Sequence, residues 1–144
     1  MRAPALPAAC LVLLAAAVSA AAPAVLSVQD AWIRATPGVD VAAAYLTLHN
    51  TGSQPVVVTG VRSPAAQSAM IHETTLVNGE STMRPHERLR IAAGETVQFA
   101  PGGLHIMLQG LKRPLAVGDE VPVTVLFEGG SVTAMARVRP LGEG

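Results

Sequence analysis

Two histidines and two methionines stand out by type and spacing: His72, Met83, His105 and Met107. A thioether sulfur is soft and uncharged, and together with two imidazoles it makes a donor set that favours Cu(I). Zinc would call for cysteine, histidine or carboxylate ligands, and calcium or magnesium for oxygen. Methionine has no proton to lose and cannot be sealed into a disulfide, which suits the holding of copper in an oxidising compartment. A blue-copper electron-transfer centre needs a cysteine sulfur. The one cysteine, Cys10, falls in an N-terminal leader.

Strands have to bring these donors together. Asn78-Gly79 lies between two strand-like runs and predicts a two-residue type I′ hairpin. That turn sets Val77 against Glu80, Thr74 against Met83 and His72 against Pro85. His72 and Met83 then share a face as diagonal neighbours, about 7–8 Å apart at the backbone, a gap a flexible methionine can close. His105 and Met107 are two apart and point the same way, with Ile106 and Leu108 packing inward. The turn Pro101-Gly102-Gly103 puts this second half near the start of its strand, at an end of the fold.

Other residues compete for these roles. Met70 shares a face with His72 in a Met-x-His pair that mirrors His105-x-Met107. It could replace Met83, act as a transient transfer ligand or shield the pocket, and the shield is the reading preferred from sequence. His49 reads as a surface or turn residue, His86 as a solvated edge near Arg84, Arg88 and Arg90, and Met135 as core or sheet surface. Glu73 and Arg84 flank ligands but point to the opposite face.

The first residues are a leader. Arg2, the apolar run Leu6 to Val18 and the small residues Val18-Ser19-Ala20 read as a secretory signal peptide over residues 1–20, too short to span a membrane and stay. Within it Cys10 reads as filler rather than as a lipidated cysteine. Its removal takes Arg2 and the cysteine, leaving nine Lys/Arg against ten Asp/Glu in residues 21–144. No basic cluster suggests nucleic acid or an anionic membrane surface. An exported chain free of disulfides rests on packing and favours a bacterial periplasm.

Residues 21–144 read as one all-β domain. Ten strand-like segments recur: Val28–Arg34, Ala43–Asn50, Val56–Arg62, Gln67–Val77, Glu80–Arg84, Leu89–Ala92, Thr96–Ala100, His105–Leu111, Val121–Phe127 and Ser131–Val138. Glycine and proline punctuate them, as in a β-sandwich or Greek-key barrel. Ala42-Ala43-Ala44 could form a turn. Trp32, Tyr45, Phe99 and Phe127 are expected in core or rim packing. No nucleophile–base pair or carboxylate dyad at telling spacing supports an enzyme.

The spacing resembles the signature of the periplasmic copper chaperones called PCuAC: His, ten residues, Met, twenty-one residues, His-x-Met. Here His72, Met83, His105 and Met107 fill it. The surroundings are similar too, in Ala31-Trp32-Ile33-Arg34, Ala44-Tyr45-Leu46, Asn50-Thr51-Gly52, His72-Glu73-Thr74, Met83-Arg84-Pro85 and Gly102-Gly103-Leu104. The resemblance covers about Val28 to Val138. It implies a cupredoxin-like fold binding one Cu(I) per chain through those four residues. It further implies delivery to the CuA centre on subunit II of cytochrome c oxidase or to another copper acceptor, alongside a Sco-type thiol protein. The ending Arg139-Pro140-Leu141-Gly142-Glu143-Gly144 lacks the His- and Met-rich tail of some relatives. A monomer without stable membrane insertion is expected. The alternatives are a copper buffer or tolerance protein without a dedicated oxidase acceptor, and an assembly β-sandwich in which the four residues only pack.

Overall fold

The computed structural model describes residues 3–4 and 25–143. The expected leader, with Cys10, thus lies outside the described residues apart from positions 3 and 4. Ten strands account for most of the rest: β1 (Leu26–Ala35), β2 (Val41–Asn50), β3 (Val56–Arg62), β4 (Ala66–Val77), β5 (Glu80–Pro85), β6 (Leu89–Ile91), β7 (Thr96–Gln98), β8 (Leu104–Leu111), β9 (Glu120–Phe127) and β10 (Gly130–Arg139). They lie within a few residues of the segments expected from the sequence, because turn chemistry and period-two alternation agree along the chain. The Ala42-Ala43-Ala44 turn does not form. Those residues lie inside β2, with Ala42 and Ala44 buried, since small side chains also fit an inward sheet face.

The strands run in the order β5-β4-β8-β2-β1-β10-β9-β3-β6, with β7 also paired to β2. β1 and β10 pair in parallel, and every other pairing is antiparallel. The result is an all-β sandwich. Its core takes alternate residues from each strand, among them Leu46 and Leu48, Ile71, Ile106 and Leu108, Val123 and Val125, and Ala136 and Val138. Each fully buried leucine, isoleucine or valine contributes about 1.5–3 kcal/mol.

A bulge in β1 decides which side Trp32 takes. Gln29 pairs with Thr47 and Trp32 with Tyr45, so Asp30 and Ala31 together face one β2 residue. Asp30 has a left-handed φ of 52°, which aspartate tolerates better than most residues. The extra residue reverses the alternation, so Ile33 turns inward and Trp32 outward. Trp32 is nonetheless buried. Its ring lies 4.5 Å from that of Tyr45, and the Arg139 guanidinium lies 4.8 Å from the Trp32 centroid. Packing was expected for all four aromatics, and all four are buried. Phe99 and Phe127 join the central core, whereas Trp32 and Tyr45 pack on the outer face.

Candidate metal site

The site is built on the three-stranded ribbon β5-β4-β8. Asn78 and Gly79 have φ of 51° and 79°, as a type I′ turn requires. The register that follows is the expected one: Val77 faces Glu80, Thr74 faces Met83 and His72 faces Pro85. Along β4, Ile71 points into the core while His72 and Met70 point outward. Along β8, Ile106 and Leu108 point inward while His105 and Met107 point outward.

His105 and Met107 are more tightly linked to the hairpin than the sequence alone implied. They do not sit on a separate strand pair, because β8 pairs directly with β4, setting His72 opposite His105 and Met70 opposite Met107. The donors therefore occupy one continuous face. Met83 extends it on β5, which among the described residues pairs only with β4.

The two imidazoles meet edge to face with centroids 5.8 Å apart. Rings that both bind one metal, with metal–nitrogen bonds of about 2.0 Å, would have centroids roughly 5.2 Å apart at a tetrahedral angle and roughly 6.4 Å apart in line. The observed spacing falls inside that range.

Hydrogen bonding sets the histidines apart. The Nδ1 of His105 lies 3.1 Å from the carbonyl oxygen of Gly103. A carbonyl only accepts, so Nδ1 carries the proton and Nε2 keeps its lone pair for a metal. The same carbonyl accepts from the Thr74 backbone N–H at 3.1 Å, which ties the loop before β8 to β4. His72 Nδ1 is buried and, among the described residues, has no hydrogen-bond partner. An unmet buried nitrogen costs about 1–3 kcal/mol, and a metal bond would relieve it. Burial, then the neighbouring charge of His105, holds the pKa of His72 below the ordinary imidazole value, which favours the neutral, ligating form.

The thioethers are accessible. Met83 is 59% exposed and Met70 41% exposed, and Met107 is half-buried. Among the described residues no group of three or more His, Cys, Asp or Glu side chains converges as a harder metal would need. A cavity of about 320 Å³ lies elsewhere, between the β1–β2 loop and the segment from Leu111 to Leu115, at the far end of β8 from His105. A single ion held between strands needs no such cavity.

The remaining candidates fall outside the site. His49 hydrogen-bonds through Nδ1 to Thr96 Oγ1 at 2.8 Å. His86 Nε2 lies 3.5 Å from Glu73 Oε2, so it is a paired edge residue rather than a merely solvated one. Met135 is an exposed sheet-surface residue. Glu73 and Arg84 face each other across the hairpin, one step from the ligand positions in the alternation. Sequence reasoning missed the Gly103 carbonyl, since a backbone acceptor leaves no mark in side-chain type. It also missed the Met70–Met107 pairing, which needs the β4–β8 register.

An all-β sandwich with two histidines and two methionines on one outward face defines a class of small β-domains. The chain belongs to the family described as "Putative lipoprotein LpqE-like", whose model matches residues 26–138. It is 44% identical over 112 residues to the "Putative lipoprotein Lxx21020" of Leifsonia xyli subsp. xyli, covering 77% of this chain and 67% of that relative. Among solved structures it is similar to CuI-DR1885 from Deinococcus radiodurans, with TM-score 0.63 and 34% identity over 90% of this chain and 86% of that one. It is also similar to the copper-bound PCuAC domain from PmoF2, with TM-score 0.67 and 26% identity over 83% of this chain and 96% of that one. The fold is that of PCuAC domains.

Proposed function

We propose that this protein is a copper chaperone of the bacterial cell envelope. It binds one Cu(I) per chain through His72, Met83, His105 and Met107 and passes it to an acceptor. The observation that carries the reading is the outward face of β5-β4-β8, where paired imidazoles stand beside thioethers and one buried imidazole nitrogen has no partner. The similarity to the copper-bound PCuAC domain from PmoF2 and to CuI-DR1885 supports the choice of metal, as does the softness of the donors. Relatives named as lipoproteins support an exported, envelope-associated protein, and a periplasmic location fits the N-terminal leader.

The exposure of Met83 suits a chaperone. A partner's donor can approach the metal from the sheet edge and displace a neutral thioether without any proton transfer. The acceptor we propose is the CuA centre of cytochrome c oxidase, with a Sco-type thiol protein acting alongside. The protein is a binding protein that exchanges an ion, with no bond of a substrate made or broken.

An anaerobic Cu(I) titration tests the reading. The mature chain should retain one equivalent against a competing chelator, and His105→Ala combined with Met107→Ala should retain none. A wild-type chain that yields all its copper at once would leave these residues as packing only. Transfer to an apo CuA domain in preference to a chelator of equal affinity would mark a chaperone. No such preference would mark a copper buffer.

A further inference from the structure

Met70 is a thioether that the four-residue set leaves out. It stands directly opposite Met107, as His72 stands directly opposite His105. The four make two cross-strand pairs, two residues apart, on the same outward face. Directly opposed β-carbons lie about 4.5–5.5 Å apart, and diagonal neighbours about 7–8 Å. Met83, by contrast, lies opposite Thr74, diagonal to His72, and β4 separates it from Met107. Two strand spacings of about 4.8 Å therefore divide those two backbones. By register alone, Met70 is closer to the His105–Met107 side of the site than Met83 is.

We propose that Met70 is a third thioether ligand that alternates with Met83 on Cu(I). The proposal rests on the copper reading above and adds a transfer step to it. In one arrangement the metal is held by His72, His105, Met107 and Met83; in the other Met70 replaces Met83. The exchange breaks one Cu–S bond as it forms another. Copper stays monovalent, and neither a proton nor an electron moves, because both ligands are neutral.

The exchange gives the edge strand a function. With Met70 bound, the copper keeps four protein donors while Met83, on β5, is free to swing aside. An incoming donor from an acceptor then meets an open approach at the sheet edge. A hydrocarbon shield of similar volume would serve equally well as leucine, whereas a ligand needs the sulfur lone pairs, and this difference can be measured.

The test uses the mature chain and the variants Met70→Leu, Met83→Leu and the double variant, with Cu(I) competition against bicinchoninate under anaerobic conditions. Methionine-to-leucine swaps conserve volume, and amide NMR spectra of the apo forms verify the fold. Met70→Leu should stay within about threefold of wild-type affinity and Met83→Leu within about tenfold, while the double variant should lose about a hundredfold or more, a non-additive result. X-ray absorption should still count two sulfurs in Met83→Leu and one in the double variant. A double variant that binds as Met83→Leu does, with the same sulfur count, would overturn the role of Met70 and leave the copper site intact. Failure of the wild-type chain to retain Cu(I) would instead overturn both.

Discussion

His105 donates its Nδ1 proton to Gly103 while the Nδ1 of His72 has no partner among the described residues, so a backbone acceptor fixes the tautomer of only one of the two imidazoles. Both must be neutral to bind copper, and the thioethers do not titrate. Copper affinity should therefore weaken as pH falls from about 7.5 to about 5, through the imidazole range. Chelator competition across that range checks it, and a flat profile would exclude both histidines. His72 resists protonation because its pKa is lowered. That shift also acts on the apo protein. The unfolded chain takes up a proton near the unperturbed value of about 6.5, which the folded chain declines until lower pH. Stability is thus unaffected above that value, falls as pH drops below it, and levels off once the folded-state pKa is passed. Thermal unfolding of His72→Gln should lack this component of the acid-side decline. The side-chain types at these positions were legible in the sequence. The carbonyl that fixes one tautomer was not, because any residue at position 103 would supply it.

The β4–β5 hairpin is the element that places Met83, and its register was legible because a two-residue turn leaves one way to count. Asn78 and Gly79 both need positive φ, and a side chain with a branched β-carbon at position 79 opposes that. Gly79→Val should cost about 1–2 kcal/mol locally. Among the described residues β5 has no second neighbour, so the damage should stay in the hairpin. Amide exchange is expected to speed up in Glu80–Pro85 while Ile106 and Leu108 remain protected. Copper should then bind more weakly through loss of Met83's position, an effect absent in a Gly38→Ala control at the distant β1–β2 turn. The bulge in β1 was less legible. Nothing in Val28–Arg34 announces that two residues will face one, yet that insertion puts Trp32 beside Tyr45 on the outer face. Tyr45 follows Ala44, and His105 precedes Ile106, the last pair of the β2–β8 ladder. The aromatic pair thus adjoins the strands of the proposed site, and Arg34 Nη2 donates to the Tyr45 hydroxyl at 2.8 Å.

Across the whole molecule, most of the stability comes from groups other than the proposed metal ligands. The four proposed ligands lie on the outward side of the sheet and the hydrocarbon core beneath it, so the sheet does not need copper to bury its apolar faces. Asn50 holds a different part of the structure. It is fully buried, donating from Nδ2 to the carbonyls of Gln54 at 2.7 Å and Ile91 at 3.1 Å. Its Oδ1 accepts from the Gly52 N–H at 2.9 Å. One side chain thereby joins the end of β2, the loop after it and β6. In the sequence Asn50 reads only as the end of a strand, because its partners are backbone groups, one of them 41 positions away. Asn50→Ala removes a fully buried side chain and leaves the buried Ile91 carbonyl without its donor, and should cost about 2–4 kcal/mol. Ligand that binds only the folded state raises stability by mass action, about 2.7 kcal/mol at a hundredfold excess over Kd. Loading with Cu(I) should therefore raise the Tm of wild type and of Asn50→Ala by similar increments, from different starting points. His105→Ala should differ in kind: His105 is buried and bonded to the Gly103 carbonyl, so its loss lowers the apo Tm as well, but with little or no rise on loading. Calorimetry of the three proteins with and without Cu(I) separates these outcomes. A loss of the copper-induced rise in Asn50→Ala would show instead that the site depends on the packing of the β2 end.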